Sequence, residues 1–106
     1  MEKQQPLTES IFYIMLALRK PNHGYGIIQE VQELTNNRIN MGAGTLYGAI
    51  QSLEQKGWIA IYSEEESSRK KKEYILTEVG QEVFRKTDKV NMHIFLKIKK
   101  NSRQIY

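Results

Sequence analysis

Apolar side chains recur at Ile11, Ile14, Met15 and Leu18, the i, i+3, i+4, i+7 rhythm of a helix with one buried stripe. Phe12 and Leu16 widen that stripe. Thr8 is placed to cap the helix, with Leu7 before it and Phe12 four residues on to close a hydrophobic staple. Pro21 ends it. A second helix follows, which Asn22 can cap; Ile27, Ile28, Val31 and Leu34 form its inner face and Asn36-Asn37 its stop. After the stretch from Arg38 to Gly42, a third helix begins at Ala43 or Gly44. Leu46, Ala49, Ile50 and Leu53 are its buried stripe, and Gly57 sits where a helix is closed by a left-handed residue.

The period then changes from 3.6 to 2. Trp58 to Ser63 is a β-branched and aromatic run bounded by Gly57 and an acidic stretch, which predicts a strand. A polar tip spans Glu64 to Ser68, and Lys72 to Thr77 reads as the returning strand with Tyr74 and Leu76 on one side. Thr77 caps a last helix predicted from Glu78 to about Lys100, about 34 Å at ~1.5 Å per residue. Val83, Thr87, Val90, Ile94 and Ile98 follow near-heptad spacing along it, with Phe84 and Phe95 beside the seam. Such a rod is too long and too apolar on one side to stand alone, while Asn101 to Tyr106 are expected to fray.

Three helices followed by a hairpin is the order of a winged helix-turn-helix. The expected fold is mainly α with a small β-hairpin, residues 1–77 forming the winged domain and residues 78–106 a C-terminal dimerisation helix and tail. With 106 residues and 40% hydrophobic positions the chain is one small globular domain. It has no cysteine, which removes disulfides, thiolate metal sites and cysteine nucleophiles together. The first ten residues lack an apolar signal core, and no apolar run approaches the roughly 20 residues that span a bilayer, so a cytoplasmic location with no membrane partner is expected.

The net charge of +4 is unevenly placed. Through residue 57, five basic side chains face five acidic ones; beyond it, 11 basic face 7 acidic. A surplus gathered on the hairpin and last helix points to a polyanion, and with this fold to double-stranded DNA. In a winged helix-turn-helix the third helix enters the major groove and the hairpin reaches the flanking backbone. Removing the buried stripe from helix three leaves Thr45, Tyr47, Gly48, Gln51, Ser52 and Gln55 to face DNA. Hydroxyls suit phosphate oxygens, and glutamine pairs with adenine. Tyr47 alternatively packs between helices. Helix three carries little positive charge beyond Lys56, so electrostatic affinity falls to Arg69, Lys70, Lys71 and Lys72 on the wing; the alternative for that run is a solvated balance to Glu64-Glu65-Glu66.

Three motifs in order resemble the PadR family of bacterial transcriptional regulators. They are His23-Gly24-Tyr25-Gly26-Ile27; then Gly44-Thr45-Leu46-Tyr47 continuing through Ile50, Leu53-Glu54 and Gly57-Trp58-Ile59; then Arg69-Lys70-Lys71-Lys72 with Tyr74, Leu76-Thr77 and Gly80. The resemblance covers about residues 8–80. It implies a repressor that binds a pseudo-palindromic operator as a homodimer, paired through the last helix together with the first. The dimerisation residues are then Ile11, Met15, Val83, Phe84, Val90, Ile94, Phe95 and Ile98. It places Thr45 and Tyr47 at the start of the recognition helix and the basic wing along the backbone. Many members carry proline where this chain has Gly48. Some small members of the family bind flat, cationic or aromatic compounds in a dimer cavity lined by a tryptophan on the last helix, so the resemblance leaves room for a small aromatic effector. Here that helix has no tryptophan, and Phe95 and Met92 are candidate lining residues, read more simply as dimer packing.

No enzyme is expected, and no cofactor. His23 and His93 lie in different elements with no Asp, Glu or His at ligand or triad spacing; His23 caps or packs at the start of helix two, or meets a phosphate, and His93 is a surface residue. Gly24–Gly26 follows a helix and lacks the third glycine of a dinucleotide fingerprint, and Gly42–Gly44 lacks the Gly-Lys-Ser/Thr of a P-loop. Tight turns and close helix packing account for both pairs, and Trp58 reads as core. The competing function is a winged-helix protein-interaction module without specific DNA binding, in which the amphipathic last helix binds a different chain.

Overall fold

The computed structural model describes residues 7–64 and 72–86. In chain order they form α1 (Glu9–Ala17), β1 (Asn22–His23), α2 (Gly24–Leu34), α3 (Ala43–Gln55), β2 (Ile59–Glu64) and β3 (Lys72–Leu76). Residues 78–86 are helical and are called α4 here. The strands form one antiparallel sheet in the order β1-β3-β2, against which the helices pack. This is the mainly helical winged-helix arrangement expected from the pattern of apolar positions. The expected continuation of α4 to about Lys100, and with it Val90, Ile94, Phe95 and Ile98, lies outside the described residues.

Local chemistry sets the ends of the helices. The Thr8 hydroxyl accepts a hydrogen bond from the Ile11 amide at 3.2 Å, satisfying one of the orphan donors of α1. Leu7 packs against the core beneath it. At the other end of α2, the amides of Asn36 and Asn37 return to the carbonyls of Glu33 and Gln32 at 3.2 and 2.7 Å. Both asparagines have positive φ, 55° and 65°, so they do the work usually given to glycine. Gly57 (φ 77°) and Trp58 close α3 by the same pair of bonds, to Glu54 at 2.9 Å and Leu53 at 3.0 Å.

The core joins Phe12, Tyr13, Ile14, Met15 and Leu18 of the first segment to Ile27 and Val31 of α2. Leu46, Ile50 and Leu53 of α3 complete it with Ile59, Tyr74 and Leu76 of the sheet. Each Leu or Ile taken fully out of water contributes about 1.5–3 kcal/mol. Ile28 is only half-buried, and Leu34, expected on the inner face, is 36% exposed because the helix ends there and turns its last residue to solvent. Phe84 of α4 stacks on Phe12 with centroids 5.3 Å apart, which fixes the start of α4 on α1.

Two positions show how tightly the chain crosses itself. The amide of Thr77 donates to the Trp58 carbonyl at 2.9 Å, and the Thr77 hydroxyl donates to the Gly57 carbonyl at 2.6 Å while accepting from the Gly80 amide at 3.0 Å. A Cβ on Gly80 would overlap the Trp58 carbonyl group, its carbon only 2.8 Å away. Gly57 has open space around it but a left-handed backbone. Gly57→Ala is therefore expected to cost about 1 kcal/mol through φ alone. Gly80→Ala should cost more, about 1–3 kcal/mol, because backbone must move. Urea unfolding of the two variants checks the order; equal losses would contradict the contact.

Glu9 and Arg38 form a two-point ion pair, at 2.8 and 3.0 Å, that ties the start of α1 to the segment leading into α3. Both side chains are more than a third exposed, so the pair contributes less than about 1 kcal/mol. Beside it, burial raises the Tyr13 phenol above its ordinary value of 10.0; Arg38 pulls the other way and Glu9 adds to the rise. A raised folded value means the folded chain holds this proton more tightly than the unfolded one. The associated stability is complete below about pH 10 and is lost as pH climbs through the folded value. Unfolding curves taken from pH 8 upward should show a loss above about pH 10 that is smaller in Tyr13→Phe; identical pH profiles would rule Tyr13 out as a source.

Candidate nucleic-acid interface

The outward face of α3 follows from its periodicity. Leu46, Ile50 and Leu53 are buried, and Thr45, Tyr47, Gly48, Gln51, Ser52 and Gln55 are all exposed. At 100° per residue, Gly48, Gln51, Ser52 and Gln55 share an arc of about 100° opposite the buried stripe, with Thr45 and Tyr47 at its two edges. Gly48 has no neighbour within 4 Å of an added Cβ, so the backbone is bare at the centre of this face. The α3 N-cap is Gly42, which has no side chain to occupy the first amides.

Tyr47 stands at the edge nearer α2. Its ring lies over Gly24, where an added Cβ would sit 2.7 Å from Cζ and closer still to the hydroxyl oxygen. The side chain nevertheless remains 46% exposed. The two alternatives raised by the sequence, packing between helices and facing outward, are thus both met by one residue. Among the described residues its hydroxyl has no hydrogen-bond partner.

The start of α2 adjoins this edge. The cap of α2 is His23 rather than Asn22: His23 Nδ1 accepts from the Gly26 amide at 3.3 Å. A ring nitrogen that accepts carries no hydrogen, so the neutral ring holds its proton on Nε2, as a donor. Asn22 is instead spent locally. Its Oδ1 accepts from the His23 amide at 3.0 Å, and its Nδ2 donates to Glu30 Oε1 at 3.1 Å. A Cβ on Gly26 would run into Asn22 Oδ1, so close packing does explain the Gly24–Gly26 pair. It does not explain Gly42 and Gly44, which have nothing near them. Tyr25, next to Gly24, is 65% exposed. It was not singled out from the sequence, although its position opposite Ile27 and Val31 on the helix gave the signal: an aromatic out of phase with the buried stripe.

Strand β1, two residues long and not anticipated, brings the wing to this edge. Asn22 pairs with Tyr74 and His23 with Glu73. Lys72, exposed at the start of β3, is therefore one residue beyond the partner of the helix cap. Across the hairpin, Ile59, Ala60 and Ile61 pair with Leu76, Ile75 and Tyr74; a bulge at Tyr62 then shifts the register so that Ser63 meets Glu73. The Ser63 hydroxyl donates to Glu73 Oε1 at 3.1 Å. Arg69, Lys70 and Lys71 lie outside the described residues. Trp58 is half-buried against the core, just before β2, with the Lys56 ammonium 5.2 Å from its ring centroid.

The expected pairing residues divide. Met15 is fully enclosed by the subunit's own core and has no surface to give a partner, since its stripe is used to hold α2 and α3. Ile11, Val83 and Phe84 are half-buried at the border of that core. Met92 and Phe95, the candidate effector-lining residues, lie outside the described residues. Among the described residues there is no group of three metal-ligating side chains, and no helix is long and apolar enough to cross a membrane.

Helix, turn, helix and hairpin in this order, with the third helix exposed along one face, define a winged helix-turn-helix protein. The chain belongs to the transcriptional regulator PadR-like family, whose model matches residues 13–86. It is not a known enzyme family. An uncharacterized protein of Lysinibacillus sphaericus is 38% identical over 69 residues, which are 64% of this chain and 63% of that protein. The chain thus spans less than two thirds of the length of this curated relative. A PadR family transcription regulator from Clostridium difficile R20291 aligns over 91% of this chain and 95% of its own, with 28% identity and a TM-score of 0.57. Bacillus subtilis PadR, solved in complex with operator DNA, aligns over 76% of this chain and 47% of its own, with 23% identity and a TM-score of 0.64. At that identity the second structure speaks for the fold alone.

Proposed function

We propose that this regulator is a sequence-specific DNA-binding repressor acting as a homodimer on a pseudo-palindromic operator. The observation that carries the reading is the exposed face of α3, with the start of α2 against it at Gly24 and the base of the wing paired to that start through β1. Thr45, Tyr47, Gly48, Gln51 and Ser52 are all exposed on it, and Lys72 stands at its border. In this reading α3 lies in the major groove, where Gln51 and the hydroxyls meet base edges and phosphates. The bare backbone at Gly48 lets the duplex approach closely. Arg69, Lys70, Lys71 and Lys72 neutralise the flanking backbone and supply the charge that α3 lacks. Residues 1–77 read DNA, and residues 78–106 pair two copies so that their recognition helices stand about 34 Å apart, one helical turn.

Binding to duplex from the region upstream of its own gene, titrated with salt, tests this directly. With two or three phosphates neutralised per subunit, log affinity should fall against log salt with a slope of about −4 to −5. Tyr47→Ala should weaken specific binding more than non-specific binding, whereas Lys70→Ala or Lys71→Ala should weaken both alike and flatten the slope. Absence of salt-sensitive binding at low ionic strength would favour the protein-interaction module.

Pairing is proposed to run along the apolar seam of Val83, Val90, Ile94 and Ile98, with Ile11, Phe84 and Phe95 beside it. Ile94→Asp would set two carboxylates across the two-fold axis and is expected to give monomers by sedimentation. A stable dimer in that variant would remove this seam from the interface.

A further inference from the structure

The Gly24–Tyr47 contact gives glycine a role beyond helix geometry. Gly24 is the first residue of α2, and it is buried. Nothing in its own backbone requires glycine: its φ is not in the left-handed region, where Asn36, Asn37 and Gly57 lie. What fills the space of its absent Cβ is the end of the Tyr47 ring, with Cζ at 2.7 Å and Cε1 at 3.4 Å from that point. The contact therefore crosses between helices and involves the reactive end of the side chain rather than its stem.

The Tyr47 side chain sets the end of its ring against α2 and uses none of its hydrogen-bonding capacity among the described residues. Among the described residues the hydroxyl has no partner, and 46% of the residue is exposed. A phenol on a helix surface normally samples several rotamers, and fixing it at the moment of binding costs free energy. Here the end of the ring rests against the bare backbone of α2, with its hydroxyl at the junction of α2 and α3.

We propose that Gly24 is a positioning residue for DNA recognition: its missing side chain seats the Tyr47 ring across α2 and aims the free hydroxyl at the duplex. The inference rests on the DNA-binding reading above. Any side chain at residue 24 displaces the ring, because an added Cβ would fall 2.7 Å from Tyr47 Cζ and the exposed phenol, with no hydrogen bond among the described residues to hold it, is the part that gives way. Tyr47 then loses its orientation while α3 keeps its buried stripe and its place in the fold.

A double-mutant cycle on the full chain tests the coupling, using the duplex that the wild-type protein selects from a randomised pool and an unrelated duplex of equal length. Gly24→Ala is expected to lose about tenfold in affinity for the selected duplex, the size of one hydrogen bond to a charged group. It should change binding to the unrelated duplex less than about twofold. In a Tyr47→Ala background Gly24→Ala should add no further loss, a result that general destabilisation of α2 does not give. Wild-type affinity in Gly24→Ala, or an undiminished loss in the Tyr47→Ala background, overturns the proposal. If Gly24→Ala unfolds, the thermal midpoint of Gly24→Ala/Tyr47→Leu should return to that of Tyr47→Leu alone; a midpoint that stays low shows that something other than the ring occupies the seat, and also overturns it. If the wild-type chain selects no duplex, the DNA-binding reading falls first and takes this inference with it. Selection by the wild type with no coupling between the two positions defeats this inference alone.

Discussion

The carbonyl of Trp58 is the point on which α3, the wing and α4 all depend. Trp58 and Gly57 close α3 through their amides, and their carbonyls receive the amide and hydroxyl of Thr77 at the end of β3. Gly80, in the first turn of α4, lies against the same carbonyl because it has no side chain. With these groups paired to one another and no room for a side chain at Gly80, this corner has few alternative arrangements. Two helices and both long strands thus leave one place in fixed directions. The two residues that end α3 through their amides are thus the ones that anchor the start of α4 through their carbonyls.

Helix pattern and cap chemistry made most of this architecture legible. The stripe of Leu46, Ala49, Ile50 and Leu53, the cap at Thr8 and the left-handed close at Gly57 are all local signals, and all stand where local physics puts them. What the pattern could not give is what only the tertiary structure decides. Strand β1 is two residues long, too short to have a period, and exists because β3 offers it a partner. The same pairing decides between two candidate caps: with Asn22 held by Glu30 and by the strand, His23 is left to cap α2. Met15 belonged equally to a core stripe and to a pairing face until the positions of α2 and α3 enclosed it. Tyr25 was a residue out of phase, and an exposed aromatic acquires meaning only when its neighbours in space are known.

Charge and shape are supplied by different elements. The exposed face of α3 is hydroxyl, amide and bare backbone, with Glu54 and Lys56 offsetting one another near its end. Helices of this kind discriminate through hydrogen-bond geometry but attract weakly, because the long-range term comes from net positive charge. The basic run from Arg69 to Lys72 is therefore the source of affinity in the proposed reading. The β1–β3 pairing matters because it ties the root of that run to the cap of α2. With Lys72 one residue past the partner of His23, that reading has attraction and discrimination act on one stretch of duplex rather than two.

Packing and recognition are often treated as competing claims on a side chain, and Tyr47 shows why they need not compete. A tyrosine has an apolar face that gains by leaving water and a polar tip that gains by keeping a partner. Buried completely, it would need a protein partner for its hydroxyl; exposed completely, it would pay the full cost of being ordered on binding. Held halfway, against a backbone with no side chain, it meets the first demand through the ring and leaves the second open at the tip. Gly48, one residue further along α3, complements this arrangement. It lies in the second turn of the helix and leaves the backbone bare there. The ring against α2 and the bare backbone at Gly48 thus stand next to each other on α3.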